Sequence, residues 1–226
     1  SRLLDDLARR NAGGGPKLTL FQAYVHAAVR TLAERPRLNR FTAGPHLYQR
    51  RKIEIGFSAK KAMTDDAPMV VVKRAFSPSG TFEKHMEELR GGLREGKSAE
   101  LSSSDKEMRL FLKFPPPAVH GFVRLAGWLD AHNLLPEAVI GHDPLYASMS
   151  VANLGSVGLE AVYHHHYEWG NCPIFAAIGR VRDVTERGEP KKVVTVRYNF
   201  DERIEDGLYC ARALDHLRDI IERWGN

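Results

Sequence analysis

The sequence predicts a single α/β domain, residues 1–226, in which helices cover a β-sheet. Two segments, 18–34 and 208–224, repeat apolar side chains at helical spacing. Two others, 69–73 and 192–198, are short and rich in β-branched residues, as strands are. With 43% hydrophobic and 27% charged residues, the chain can bury one sizeable core.

The other helix and strand signals follow one another along the chain. Thr19 is a plausible N-cap for the helix over 18–34, since its side chain can accept a hydrogen bond from the first turn. The run 69–73 is nearly continuous in apolar residues, which predicts a central strand. The segment 185–190 predicts a hairpin turn. Further helices are predicted at 1–11 and 81–95, and further strands at 40–43, 47–49, 52–60, 148–152 and 173–179.

Composition argues against several classes of function. The formal net charge is +5 and the pI is about 9.2, but the charges are spread along the chain. A nucleic-acid-binding domain would need a basic stripe with stacking aromatic side chains, so no nucleic-acid partner is expected. No run of about eighteen apolar residues is present, so no transmembrane segment is expected. The two cysteines, Cys172 and Cys210, are too few for a disulfide framework and favour a reducing, cytoplasmic setting.

A short motif resembles that of a known family. Residues 201–207 have the sequence Asp-Glu-Arg-Ile-Glu-Asp-Gly, between a predicted strand and a predicted helix. This resembles the D-H-R-x-x-D-G of dihydrolipoyl acyltransferases, the cores of 2-oxo acid dehydrogenase complexes. It also resembles the H-x-x-x-D-G of chloramphenicol acetyltransferases. Residues 153–158, Asn-Leu-Gly-Ser-Val-Gly, are similar to the family's (S/T)-N-L-G-x-x-G.

The resemblance implies a chloramphenicol acetyltransferase-like fold, which is a two-layer sandwich with a mixed β-sheet covered by helices. It also implies a homotrimer with active sites between subunits, and coenzyme A or acyl-CoA as substrate. Where the family has a short loop, this chain has residues 101–143, which we interpret as a helical insertion with a helix over 118–132. Two interpretations of the insertion stay open. It caps an exposed part of the core, or it covers a substrate channel or another subunit.

The two family positions that carry the chemistry hold different residues here. In the family a histidine takes the proton from a thiol, and a serine or threonine hydroxyl binds the oxyanion. Carried across residue by residue, these positions are Glu202 and Ala152. The resemblance further implies Asp206 as the retained acid of the catalytic motif, and Asn153 and Ser150 as substrate-binding candidates beside Ala152.

Glu202 has two interpretations. A free glutamate has a pKa of about 4.3 and a thiol one of about 8.5, so the proton transfer is uphill by about 5–6 kcal/mol. Burial can raise a glutamate pKa by up to about 3–5 units, which would make Glu202 a workable base. In the other interpretation, Arg203 or Arg197 pairs with Glu202 and makes it a structural group.

A histidine cluster at 164–166 supplies other candidate groups. On a strand, His164 and His166 would point the same way, which suits a metal site or a base that replaces the missing histidine. A structural zinc ion usually needs four ligands, and no Cys/His pair at metal spacing lies nearby, so no metal is expected. His164 and His166 are therefore kept as candidate catalytic residues.

Three functions stay open on the sequence. The first is a noncanonical acyltransferase that moves an acyl group from a small-molecule thioester of coenzyme A to an unknown acceptor. The second is a catalytically inactive trimeric assembly or ligand-binding module of the same fold. The third is an enzyme in which Glu202 acts on a carbonyl substrate or on water.

Overall fold

The computed structural model describes residues 2–60, 64, 66–67, 69–98, 114–186 and 188–224. The helices of this part are α1 (Arg2–Ala12), α2 (Leu20–Glu34), α3 (Phe82–Ser98), α4 (Pro116–Ala131), α5 (Glu137–Ile140) and α6 (Gly207–Glu222). The strands are β1 (Arg40–Ala43), β2 (His46–Gln49), β3 (Ile53–Lys60), β4 (Met69–Phe76), β5 (Met149–Asn153), β6 (Ile174–Glu186) and β7 (Glu189–Phe200). Short 3-10 turns lie at Pro36–Asn39, Pro144–Tyr146 and Leu154–Val157.

The main sheet has five strands in the order β4-β3-β5-β6-β7, and β1 and β2 form a separate hairpin. Strand β5 runs parallel to both β3 and β6, whereas the β3–β4 and β6–β7 pairs are antiparallel. The sheet is therefore mixed, and β4 and β7 are its edges. The hairpin predicted at 185–190 connects β6 to β7, with Gly188 at a φ of 85°.

The prediction of a central strand at residues 69–73 is wrong. These residues begin β4, which pairs with β3 alone in the described part of the sheet. Val72 is 8% exposed and packs toward α3, whereas its neighbour Val71 is 47% exposed. Because successive side chains of a strand alternate between faces, α3 shields only one of the two faces of this apolar run.

The core lies between one face of the sheet and helices α2, α3 and α6. Sheet residues such as Ile55, Phe57 and Val151 are at most 1% exposed, and Val25 of α2 is fully buried against them. The rings of Phe21 and Phe57 meet edge to face with centroids 5.9 Å apart. This arrangement is the predicted two-layer α/β sandwich, and the prediction of the fold class is confirmed.

Side-chain caps start two helices that the sequence predicted. Thr19 accepts a hydrogen bond from the backbone N–H of Gln22, whose side chain accepts one from the N–H of Thr19. This capping box satisfies two donors that the helix itself cannot pair, and the predicted cap at Thr19 is confirmed. At α6, the Asp206 carboxylate accepts from the N–H of Tyr209 at 2.9 Å. Asp206 thus fixes the point where the motif loop becomes a helix.

The predicted insertion contains the predicted helix, α4, together with α5. Residues 101–113 lie outside the described residues. No side chain of α4 is buried, and Phe122, Val123, Leu125 and Trp128 are each about half exposed. The insertion contacts the rest of the chain through its C-terminal part, where the hydroxyl of Tyr146 donates to Asp130 at 2.9 Å. What the exposed side of α4 covers stays a prediction.

No helix among the described residues has the length and hydropathy needed to cross a membrane.

Candidate functional site

The motif at 201–207 forms the loop between β7 and α6. Asp201 begins it, and its carboxylate accepts hydrogen bonds from Arg203 Nε at 2.8 Å and Arg203 Nη2 at 2.6 Å. Ile204 is 1% exposed and anchors the middle of the loop in the core. Because both ends and the centre of the loop are fixed, Glu202 projects into solvent from a defined position.

Glu202 lies on the wall of an open cleft of about 550 Å³ between the edge strand β7 and the first turns of α6. The edge strand β7 forms one side, the start of α6 forms the other, and Tyr163 contributes from the segment before β6. The lining residues are Tyr163, Thr195, Val196, Arg197, Tyr198, Phe200, Glu202, Gly207, Cys210, Ala211 and Leu214. The cleft has the size of an ordinary small-molecule site.

The two arginines that one of the two interpretations pairs with Glu202 have other partners. Arg203 forms a hydrogen-bonded ion pair with Asp201. Arg197 donates from Nε to the carbonyl oxygen of Ala161 at 3.0 Å, and its guanidinium lies 4.6 Å from the centre of the Tyr163 ring. Among the described residues, neither arginine forms an ion pair with Glu202, whose exposed side chain lies on the wall of the cleft.

Ala152 lies two strands away from β7, on the sheet face opposite the helices. Ala152 pairs with Ala177 of β6, which pairs with Arg197 of β7. Adjacent strands are about 4.8 Å apart, so Ala152 and Arg197 are separated by roughly 10 Å. Ser150 and Asn153 belong to the same strand as Ala152. The structure therefore groups Ala152, Asn153 and Ser150 on the middle strand of the sheet, whereas Glu202 follows the end of the edge strand β7.

The turn after β5 explains the glycine that follows Asn153 and Leu154. A Cβ atom at Gly155 would lie 2.6 Å from the carbonyl oxygen of Gly179 on β6, which is closer than such atoms approach. Only glycine allows the turn to pack this tightly against the neighbouring strand. The Asn-Leu-Gly motif thus has a structural role that is independent of substrate.

The histidine segment is irregular rather than a strand, so the alternation expected of a strand does not apply to it. His164 stacks on Phe175 with centroids 4.0 Å apart, and its Nδ1 donates to the carbonyl oxygen of His165 at 2.6 Å. His165 in turn donates from Nδ1 to the carbonyl oxygen of His166 at 2.9 Å. His164 is therefore held by the sheet, away from free contact with the cleft.

His166 is the histidine that the fold brings to the motif loop. Its Nε2 is buried and has no hydrogen-bond partner among the described residues. Burial raises the pKa of Asp201, but the hydrogen bonds from Arg203 and the electrostatic effect of His166 outweigh it, and the pKa of Asp201 is lowered. His166 thus lies close enough to the start of the loop to act on its charge.

The described part of the chain contains no group of three or more His, Cys, Asp or Glu side chains arranged to hold a metal ion.

Sequence reasoning missed several groups at the cleft. Tyr198 lines it, and its hydroxyl accepts a hydrogen bond from Tyr24 of α2 at 3.0 Å. Burial raises the pKa of Tyr198 to about 12 and that of Cys210 above its ordinary value. No local pattern predicts the Tyr24 contact, because the two tyrosines are far apart in sequence.

Comparison with known proteins identifies the fold. The cubic core of the pyruvate dehydrogenase multienzyme complex matches with a TM-score of 0.64 and 16% identity, over 97% of this chain and 76% of that chain. A probable dihydrolipoamide acetyltransferase from Listeria monocytogenes matches with a TM-score of 0.57 and 18% identity, over 91% and 71%. A chloramphenicol acetyltransferase matches with a TM-score of 0.56 and 14% identity, over 95% and 81%.

Searches of protein-family models and of curated proteins found no match to the sequence. The structural matches agree with the fold that the resemblance implied. The chain has the chloramphenicol acetyltransferase-like fold of the dihydrolipoamide acetyltransferase cores.

Proposed function

We propose that the protein transfers an acyl group from a coenzyme A thioester, with Glu202 as the carboxylate that accepts the proton of the acceptor. The observation that carries this proposal is the position of Glu202. It lies on the wall of the cleft, and the nearby Arg197 and Arg203 are bonded to other groups. Glu202 is exposed in the single chain, so the burial that would make it a workable base has to come from a neighbouring subunit.

The proposed reaction has a simple balance. The acceptor gives its proton to Glu202, and its nucleophilic atom forms a bond to the thioester carbonyl carbon. The carbon–sulfur bond then breaks, and the departing thiolate takes the proton from Glu202. Free coenzyme A leaves as the thiol, and the acceptor carries the acyl group. If water is the acceptor, the product is the free acid.

Ala152 makes this reaction slower than the family's. A side-chain hydroxyl that stabilises an oxyanion is typically worth about 2.7–4 kcal/mol, and alanine supplies none. Ser150 lies two residues away on the same strand and offers a hydroxyl, and backbone N–H groups of the turn after Asn153 offer others. We assign the substrate-binding role to this strand and the proton transfer to Glu202, with Asp206 holding the loop.

The proposed active form is a homotrimer. Within one chain the Ala152 strand and Glu202 lie apart, so a complete site needs Glu202 of one subunit beside the Ala152 strand of the next. One structural match is a cubic core, which is an assembly of many chains. Light scattering should give a trimer, whereas a stable monomer would contradict this arrangement.

Both cysteines are free thiols, and we propose a reducing compartment such as the cytoplasm.

A second function is favoured by two observations at the same positions. Glu202 is exposed, and Ala152 carries no hydroxyl, so both groups of the family mechanism are changed. The alternative is therefore a trimeric module that binds a thioester or another ligand without turnover. Binding of coenzyme A without release of thiol from acetyl-CoA would favour it.

The test measures thiol release from acetyl-CoA by the purified protein with a panel of acceptors. Glu202→Gln keeps the shape of the side chain and removes the base, and we expect the rate to fall about 10²–10⁴-fold. Glu222→Gln, an exposed change near the other end of α6, is the matched control and should leave the rate unchanged. Unchanged turnover in Glu202→Gln would exclude Glu202 as the base and direct attention to His166 and His164.

A further inference from the structure

A pair of tyrosines lies at the wall of the cleft between β7 and α6. Tyr198 lines the cleft, and its hydroxyl oxygen is 3.0 Å from the hydroxyl oxygen of Tyr24 in α2. Tyr24 is 2% exposed and belongs to the core, whereas Tyr198 is only partly buried. Buried tyrosine hydroxyls usually form a hydrogen bond, and Tyr198 is the partner that the fold brings to Tyr24. The cleft therefore contains one hydroxyl that is fixed by a hydrogen bond to the core.

The direction of that hydrogen bond decides which proton is available to a ligand. A tyrosine hydroxyl has one proton to donate and two lone pairs that accept. Tyr24 donates to Tyr198, so the proton of Tyr198 points elsewhere, and the described residues provide no acceptor for it. Burial raises the pKa of Tyr198 to about 12, against a weaker lowering by the Tyr24 hydrogen bond, so the hydroxyl keeps its proton at neutral pH. Tyr198 is thus a hydrogen-bond donor that a ligand in the cleft can use.

The position of Tyr198 is fixed by the sheet. Tyr198 pairs with Ala176 of β6, and its ring stacks on that of Phe200 with centroids 6.0 Å apart. Ordering a free side chain on binding costs about 0.5–1.5 kcal/mol. Because the ring and the hydroxyl of Tyr198 are held before any ligand binds, most of that cost is avoided.

The same cleft offers apolar surface and a carboxylate. Val196, Phe200 and Leu214 line it together with Tyr198 and Glu202. Alternate residues of a strand share one face and are about 7 Å apart, and Glu202 follows two residues after Phe200. Tyr198 and Glu202 therefore occupy separate places along the cleft. These positions suit a small, largely apolar ligand that has a polar group at each end.

We propose that Tyr198 selects the acyl acceptor by donating a hydrogen bond to an oxygen at the end of the acceptor away from its nucleophile. The inference rests on the proposed function, in which Glu202 takes the proton of the acceptor, and it names the class of acceptor. That class is a small, largely apolar alcohol, phenol or amine with a carbonyl oxygen at its far end. An analogue without this oxygen leaves the Tyr198 donor unpaired and is bound more weakly.

Isothermal titration of the intact protein with two phenols of similar size tests this assignment. In 4-hydroxyacetophenone a hydroxyl is available to Glu202 and a carbonyl oxygen to Tyr198, whereas 4-ethylphenol has the hydroxyl alone. Tyr198→Phe keeps the ring and removes the donor. Tyr209→Phe changes a tyrosine of α6 that does not line the cleft, and it is the matched control. Circular dichroism checks that both variants are folded.

We expect wild type to bind 4-hydroxyacetophenone more tightly than 4-ethylphenol. Tyr198→Phe should lower the ratio of the two affinities about threefold to tenfold, since one neutral hydrogen bond is lost. The affinity of this variant for 4-ethylphenol should not fall, which shows that the cleft is intact. Tyr209→Phe should leave both affinities unchanged. Equal affinities of wild type for the two phenols, or an unchanged ratio in Tyr198→Phe, would overturn the assignment.

A further variant tests the other end of the ligand. Glu202→Gln should weaken both phenols by a similar factor, because both carry the hydroxyl and a carboxylate accepts a hydrogen bond more strongly than an amide does. The ratio of the two affinities should therefore stay at the wild-type value. A fall in the ratio as large as that in Tyr198→Phe would mean that the carbonyl oxygen is not read by Tyr198 alone, and it would overturn the assignment.

The results also separate this inference from the proposed function. Binding of the ketone that depends on Tyr198, without thiol release from acetyl-CoA, supports the ligand site and rejects the acyltransferase. Acyl transfer to both phenols at rates that Tyr198→Phe leaves unchanged supports the acyltransferase and rejects the role of Tyr198. Failure of both phenols to bind wild type rejects this class of acceptor, and the thiol-release assay then decides the function separately.

Discussion

Acid should destabilise this protein through a buried pair of histidines, His26 of α2 and His85 of α3. Their Nδ1 atoms are 2.9 Å apart, and His85 Nε2 lies 2.8 Å from the carbonyl oxygen of Ser77. Because that carbonyl can only accept, His85 donates from Nε2 and accepts at Nδ1, and His26 is the donor between the rings. The rings of Phe82 and Trp224 pack on His26 with centroids 5.5 and 5.8 Å away, and His26 is 8% exposed.

Burial, His85 and the nearby Arg30 lower the pKa of His26 to about 4, against a weaker opposing effect of Glu83. An unfolded histidine has a pKa of about 6.5, so between these values the unfolded chain binds the extra proton and the folded chain does not. The contribution of neutral His26 to the free energy of unfolding is therefore complete above about pH 6.5, and it is lost as the pH falls toward 4. The loss from His26 is about 2 kcal/mol between pH 7.5 and 5, and about 3 kcal/mol in full.

Urea unfolding followed by tryptophan fluorescence measures this loss, since the ring of Trp224 packs on His26. The comparison uses wild type, His26→Gln and His120→Gln, which changes an exposed histidine of α4. His26→Gln should be less stable at pH 7.5 and should lose little further stability on going to pH 5. His120→Gln should follow wild type. The same decrease in all three proteins would refute the reasoning.

Three further predictions concern single residues. Asp206→Ala removes the cap on the N–H of Tyr209 and should lower the free energy of unfolding by about 1 kcal/mol, measured by urea titration. Cys172 should react slowly with a thiol reagent in the native protein and quickly in urea, because burial raises its pKa to about 11. Equal rates would contradict this. Gly170→Ala should destabilise by more than about 1 kcal/mol, since φ is +87° and a Cβ would meet a carbonyl oxygen at 2.5 Å. Gly121→Ala, where the space is open, is its control and should not lower the melting temperature.

Much of the fold could be predicted because the signals are local. A capping threonine acts on residues within one turn, so Thr19 and the start of α2 are predictable from a few neighbouring residues. The alternation of apolar and polar residues in β3 and the turn at Gly188 are equally local. The motif at 201–207 was expected between a strand and a helix, and it lies there.

The arrangement of the candidate site was only partly predictable. The sequence names Glu202 as the changed position, but whether Arg197 or Arg203 neutralises it depends on which partner each arginine reaches. Arg197 reaches the backbone at Ala161, and Arg203 reaches Asp201. Pairing of either arginine with Glu202 was compatible with the sequence, since a long side chain can meet any group within several ångströms.

The sequence by itself determined the α/β class, the likeness to the acyltransferase motifs and the two changed positions, Glu202 and Ala152. The tertiary structure decided that β4 is an edge strand, that His26 meets His85, and that Tyr24 meets Tyr198. The physical reason is the distance in sequence over which each interaction acts. Hydrogen-bonding periodicity and capping act between neighbours in sequence, whereas edge position and buried pairs arise when distant segments pack against one another.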